Sequence, residues 1–251
     1  MKHVIENQFL IATIDCKGAQ LLSLKSKENG KEYIWTGDES IWKWHAPVLF
    51  PQCGNFPNGY FYNGNNYKLP MHGFLRDVEH TYQREGVYIF TSEKREDYPF
   101  SFKAQTTFTL NKHTLTHSIT ITNPSSYPMP MSLGFHTGYL IKSPLLIFEN
   151  TEEEVGVRKF KCNDATLSET KLYTKIKSRR INVEGEEGKR MAVSFSDCTT
   201  LVIWSPKGES RNLVCIEPRI DTIPSGAKEP FAIMLKGNES ITLSESIEII
   251  E

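Results

Sequence analysis

The sequence predicts an all-β fold. Three observations carry that prediction. Apolar and polar residues alternate at a period of two through 102–110 and 115–121, Asn-Gly pairs punctuate the chain at Asn29-Gly30 and Asn63-Gly64, and no segment carries a long amphipathic helical stripe. A period of two means strands with one face in a core and the other toward water.

In order along the chain, 9–14 and 19–25 read as short aliphatic strands, and the Asn29-Gly30 turn returns the chain through 31–35. Residues 60–62 and 67–69 flank Asn63-Gly64 as a small aromatic hairpin. Strands follow at 78–84, 87–91, 102–110 and 115–121. The proline-rich loop 123–130 leads into a buried strand at 131–135. From 145 the pattern weakens. Residues 150–189 read as irregular connections and edge strands, with a short helix around 165–171. Strands resume at 191–195, 201–204, 213–217, 231–235 and 241–249. No linker or internal repeat interrupts this order, so a single domain over 1–251 is expected.

Composition excludes several classes. A net charge of −1 offers no field for nucleic acid or an anionic membrane, and the basic run 175–180 reads as a solvated strand end. There is no apolar run long enough to cross a bilayer and no signal-peptide core at the start, so a cytoplasmic location is expected. Five scattered cysteines without a C-x-x-C pair suggest neither a disulfide framework nor a zinc site. Cys53 lies in a loop with nothing nearby to activate it as a nucleophile. His113 and His117 have a ligand spacing only on a helix, and this segment is extended. No metal or cofactor is expected.

The stretch 42–76 stands apart. It packs four prolines and four glycines among aromatic residues and two histidines, too many chain breakers for a regular element. Loops of this kind carry binding groups above a rigid scaffold. His45, Asn55, His72 and Arg76 are therefore candidates for one wall of a site. The alternative is that they plug the end of a barrel or sandwich, which for His45 alone is the simpler reading. Gly134 and Gly138 bracket a second histidine, His136, which reads equally as a core histidine bonded to a backbone carbonyl. Glu217 ends an apolar strand directly before Pro218, where a carboxylate is either desolvated with a raised pKa or hydrogen-bonded and charged. An imidazole and a carboxylate make a workable acid and base near neutral pH without a metal or a covalent intermediate.

Four motifs in one order now matter: W-x-x-H-A-P-V-L-F-P-x-x-G at 42–54, L-P-M-H-G-F-x-R-D at 69–77, M-P-M-S-L-G-F-H at 129–136, and C-I-E-P at 215–218. Through them the chain resembles the aldose 1-epimerase (galactose mutarotase) superfamily, most closely its LacX-like branch. The resemblance implies a β-supersandwich with a monosaccharide in a cleft on a concave sheet face, and interconversion of α and β anomers. It makes Glu217 the base at the C1 hydroxyl and His136 the acid at the ring oxygen, facing each other across a sugar-sized gap. His72 is implied as a hydrogen-bonding partner in the ring region and Arg76 as a ligand of a sugar hydroxyl or a brace for its loop. Trp204 offers an aromatic face to the sugar or is buried in the core. Relatives carry arginine where this chain has Asn55, and G-G-H-P-A-F where it has G-F-H-T-G-Y. A non-catalytic carbohydrate-binding protein and a hexose-6-phosphate 1-epimerase are the alternatives, the protein being a monomer or a homodimer.

Overall fold

The computed structural model describes residues 1–149, 157–162, 170–174, 178–188, 190–196, 198–206, 212–221 and 231–250. These build antiparallel sheets, with two single-turn 3-10 segments and no α-helix among the described residues. The helix expected around 165–171 falls mostly outside them.

A nine-stranded sheet forms one layer. Its order is Val157–Lys161, Leu145–Glu149, Arg180–Glu184, Arg190–Phe195, Ser240–Ile250, Thr114–Thr122, Phe102–Asn111, Val87–Ser92, Thr81–Arg84. A six-stranded sheet faces it, ordered Lys171–Thr174, Thr200–Trp204, Leu213–Ile220, Leu133–Phe135, Val48–Leu49, with Thr137–Leu140 also paired to Leu213–Ile220. Lys2–Glu6, Leu10–Asp15 and Gln20–Ser26 form a third, smaller sheet.

Alternation decides what each face meets. In Thr114–Thr122 the residues Leu115, His117, Ile119 and Ile121 are buried and the intervening ones are not. Leu115 and Ile247 of the larger sheet join Leu201, Ile203, Val214 and Ile216 of the smaller in one core. A second core joins Phe102, Ile119 and Leu243 to Leu133, Phe135 and Phe50. Each such side chain contributes about 1.5–3 kcal/mol when fully buried.

Three local details differ from the sequence reading. Residues 31–35 form no strand, because the Glu32 carboxylate accepts the backbone N–H groups of Leu24, Tyr33 and Ile34 and leaves only isolated bridges. Lys2–Glu6 is a strand that periodicity missed, since Ile5 is its one buried residue. The strand at 213–217 runs on through Pro218 to Ile220. Proline is tolerated there because the ladder on one side is interrupted, with pairing recorded at Gly134↔Arg219 and next at Thr137↔Ile216.

Candidate active site

The interrupted ladder is the centre of the site. The registers Gly134↔Arg219 and Thr137↔Ile216 put His136 opposite Glu217 across antiparallel strands. Chain continuity is kept on the other side, where His136 N–H donates to Pro47 O (3.0 Å) and Gly138 N–H to His45 O (2.9 Å). Period two then sorts the faces. Phe135, Thr137, Val214 and Ile216 enter the core, while His136, Glu217, Arg219, Val202 and Trp204 turn to the outer face. Loop 42–76 covers that face, leaving a cleft of about 550 Å³, within the usual range for a small-molecule site.

His136 Nε2 lies 3.5 Å from Glu217 Oε1. The expectation of a sugar-sized gap between them is overturned: as direct cross-strand neighbours they abut, so any ligand must lie over the pair. The distance is long for a hydrogen bond, and Glu217 Oε1 and His136 Nδ1 are both buried without a hydrogen-bond partner among the described residues. Glu217 Oε2 accepts from Arg219 Nη2. Burial pushes the Glu217 carboxyl up to about 7, opposed by Arg219. Burial, with Arg219, His72 and Arg76 nearby, holds the His136 imidazole well below its ordinary range. Both groups are thus driven toward neutrality.

Aromatic rings wall the pair. Trp42 stacks on His136 at 4.9 Å between centroids, and Trp204 meets the same imidazole edge-on at 5.6 Å. The Trp42 loop is pinned by the Asp38 carbonyl, which accepts from Trp42 N–H at 2.7 Å, and by Trp35 Nε1–H, which donates to Trp42 O at 2.7 Å.

His72 reaches the cleft from the loop, its ring edge-on to His136 at 5.4 Å. Its backbone is in the left-handed region, φ +66, which is uncommon outside glycine. A reciprocal clamp holds it there. His72 N–H donates to Gly54 O (2.8 Å), and Gly54 N–H donates to His72 Nδ1 (2.9 Å). Nδ1 must therefore be unprotonated, which leaves Nε2–H as the donor. Burial, then Arg219 and Arg76, lower the His72 pKa to about 3. Arg76 also lines the cleft. It donates to Met71 O (2.8 Å), lies over the Trp44 ring at 4.4 Å, and has Nε 3.8 Å from Asp77 Oδ2 with no hydrogen-bond partner among the described residues.

Two predicted wall residues are elsewhere. His45 is the plug: its Nδ1–H donates to Trp35 O (2.7 Å), its ring packs on Gly37, and it does not line the cleft. Asn55 is exposed outside the cleft, because the chain turns outward once Gly54 has made its bond to His72. Cleft residues that the sequence reading did not assign to the site include Trp42, Trp44, Lys43 and Arg219. Arg219 was findable, since two residues after Glu217 on a strand means the same face. Trp42 opens the first motif but sits on a loop, where no period marks a direction.

His136, Cys215 and Glu217 place donor atoms within 4.8 Å of one another. The trio suits a cation poorly. Arg219 already occupies Glu217, and burial holds the Cys215 thiol well above its usual pKa, whereas a metal needs the thiolate.

The geometry can now be set beside known proteins. A family model described as aldose 1-epimerase matches residues 1–160, which hold His72, Arg76 and His136. The chain belongs to the aldose 1-epimerase family. The chromosomal LacX protein of Lactococcus lactis subsp. lactis is 26% identical, over 85% of this chain and 86% of that protein. The crystal structure of a galactose mutarotase-like protein from Lactobacillus casei superposes with a TM-score of 0.87 at 24% identity over the whole of both chains. That of a galactose mutarotase related enzyme from Lactobacillus acidophilus gives 0.86 at 21% identity, over 100% of this chain and 98% of the other. Within the family fold, Glu217 lies beyond the matched segment, and its place in the site rests on the pairing with His136 described above.

Proposed function

We propose that this chain is an aldose 1-epimerase, an isomerase that interconverts the α and β anomers of a monosaccharide without a cofactor. The observation that carries the reading is the His136–Glu217 pair on the floor of a cleft walled by Trp42 and Trp204. Indole faces suit the C–H faces of a pyranose, while Glu217 Oε1 and His136 are left to meet its polar edge.

Glu217 Oε1 takes the proton of the C1 hydroxyl while His136 gives one to the ring oxygen. The C1–O5 bond breaks, C1 rotates as the open aldehyde, and the reverse transfers close the ring on the other face. A neutral imidazole is too weak an acid for this step. The competent state is therefore the one in which the pair holds one proton. Neutral carboxyl beside neutral imidazole is a proton tautomer of carboxylate beside imidazolium, and the two differ by a transfer across the 3.5 Å contact. Each positioned acid or base is worth about 10²- to 10⁴-fold. His72 Nε2–H steadies the ring oxygen, and Arg76 binds a hydroxyl.

One observation favours a second reading, a hexose-6-phosphate 1-epimerase. Lys43 and Arg76 both stand over the Trp44 ring, at 5.1 and 4.4 Å, on one wall of the cleft. The test is anomer equilibration followed by polarimetry or NMR exchange over free and phosphorylated aldoses. Acceleration lost in His136→Asn and Glu217→Gln is expected. Wild-type protein that accelerates none of them overturns the reading, and sugar-induced thermal stabilisation without acceleration replaces it with a carbohydrate-binding role.

A further inference from the structure

Arg219 has no place in the reaction as written, yet three separate elements fix it. On its own strand it bonds Glu217 Oε2 through Nη2, and Nη1 lies 3.6 Å from Asp221 Oδ2. Asp221 is held from the neighbouring strand segment, accepting Thr200 Oγ1–H at its side chain and donating its N–H to Thr199 Oγ1 at 2.9 Å. Across the ladder stands Gly134. A Cβ there would come within 2.8 Å of Arg219 Cγ and 3.2 Å of Cys53 Sγ, so the bare backbone is what lets the arginine stem cross. Arg219 is 7% exposed and its Nε has no hydrogen-bond partner among the described residues. Stability alone explains this arrangement badly, since a buried ion pair gives little net stabilisation over an apolar replacement.

We propose that Arg219 is a positioning residue for the isomerisation: its bond to Oε2 fixes the Glu217 carboxylate with Oε1 turned to His136 and the substrate, and Asp221 and Gly134 hold the guanidinium in that place. The role rests on the reading of Glu217 as the base. A carboxylate free to rotate would present Oε1 at the C1 hydroxyl only part of the time. Without the guanidinium the pair's one proton would also be held on Glu217 rather than His136, and to higher pH, because burial acts unopposed. Among the described residues, the other charged or titratable groups near it are His136 from the facing chain segment, His72, Arg76 and Cys53 from the covering loop, Cys215 from its own strand and Asp221 just past its end.

The experiment titrates the Glu217 carboxyl in the resting protein by NMR with 13C-labelled glutamate, assigned with Glu217→Gln. Wild type is expected to ionise at about 7. In Arg219→Gln the midpoint rises by about one pH unit or more, and kcat falls about 10- to 100-fold with KM nearly unchanged, the scale of a lost charge-assisted hydrogen bond. Arg219→Lys keeps the charge and restores the midpoint toward wild type. Gly134→Ala, which displaces Arg219 by crowding alone, raises the midpoint should Arg219→Gln not fold. An unmoved midpoint in folded Arg219→Gln, or in Gly134→Ala, overturns the proposal. A wild type that turns over no sugar defeats the isomerase reading instead, and leaves the titration to decide what Arg219 does to Glu217.

Discussion

His136 and Glu217 stand opposite one another on adjacent antiparallel strands, Nε2 to Oε1 3.5 Å, at the point where the ladder between those strands is broken. A proline follows the glutamate, so the break leaves no N–H to satisfy there. The same geometry makes the two groups one titrating unit. Burial opposes charge on either, and a single proton can sit on either.

The pH profile follows from that. The competent form carries one proton on the pair, and that proton is lost as pH rises through about 7. We expect kcat/KM to fall above that value, about tenfold per pH unit once well past it. Rates across pH 5–9, corrected for buffer-catalysed anomerisation, check this. A profile still rising at pH 9 refutes the shared proton.

Stability should run with the same group. The folded-state value of Glu217, about 7, lies above the ordinary 4.5, so the folded protein holds this proton longer than the unfolded chain. Its contribution is complete below about 4.5 and is lost as pH rises through about 7, a change of roughly 3 kcal/mol. His72 acts in the opposite sense. Its value of about 3 lies below 6.5, so its contribution is lost as pH falls through that interval. The difference in urea unfolding free energy between Glu217→Gln and wild type isolates the first term. The variant should gain on wild type from pH 4.5 to pH 8 while losing turnover.

Much of this was legible beforehand. The strands 102–111 and 114–122 announce themselves because one face meets the core and the other water. His136, His72 and Glu217 are marked by the breakers around them: Gly134, Gly138, Pro70, Gly73 and Pro218. What stayed hidden lacks a period. Trp42 and Lys43 ride a loop whose direction is set by tertiary bonds from Trp35 and Asp38. His45 and His72 look alike in sequence, but one ring bonds Trp35 O under the loop and the other bonds Gly54 N–H beside the cleft. Asn55 misleads for a related reason: one residue past Gly54, it is already outside.

His72 offers a sharper test of the loop. Its φ of +66 is tolerated by asparagine better than by most residues, and its Nδ1 is the acceptor for Gly54 N–H. His72→Asn should therefore fold, keeping the αL turn, while losing the Nε2–H donor. We expect kcat/KM to fall about 10- to 100-fold, the worth of one hydrogen bond to a developing charge. A circular-dichroism spectrum and melting temperature close to wild type would assign the loss to the ring rather than to the loop.

Gly138→Ala probes the aromatic wall, with His45 O, at 3.2 Å, the one polar atom among the three nearest the added Cβ. An added Cβ would lie 2.7 Å from a ring carbon of Trp42 and 2.9 Å from Leu213 Cδ1. Leu213 is fully buried on its strand, whereas Trp42 is half-buried on a loop and is the freer of the two to move. The indole should then move off the His136 face into the cleft. KM should rise more than kcat falls, and tryptophan fluorescence should change in the free protein.

Behind the site, Thr137 directs its hydroxyl away from the cleft, into the core, to Glu245 Oε1 at 2.5 Å. The same carboxylate meets His117 Nδ1 at 3.2 Å and the Tyr139 hydroxyl at 3.5 Å, and all four residues are fully buried. This cluster ties the strand just after His136 to Ser240–Ile250 of the opposite sheet. Removing the carboxylate strands three polar groups at once. Glu245→Ala should cost about 3 kcal/mol or more, at about 1–3 kcal/mol for each buried polar group left without its partner. Glu245→Gln keeps an acceptor for Thr137 and should cost about 1–2 kcal/mol. Urea unfolding at neutral pH separates the two. If the cluster sets the height of His136, the glutamine variant should also lose turnover beyond its fraction unfolded. If it serves packing alone, turnover per folded molecule will match wild type.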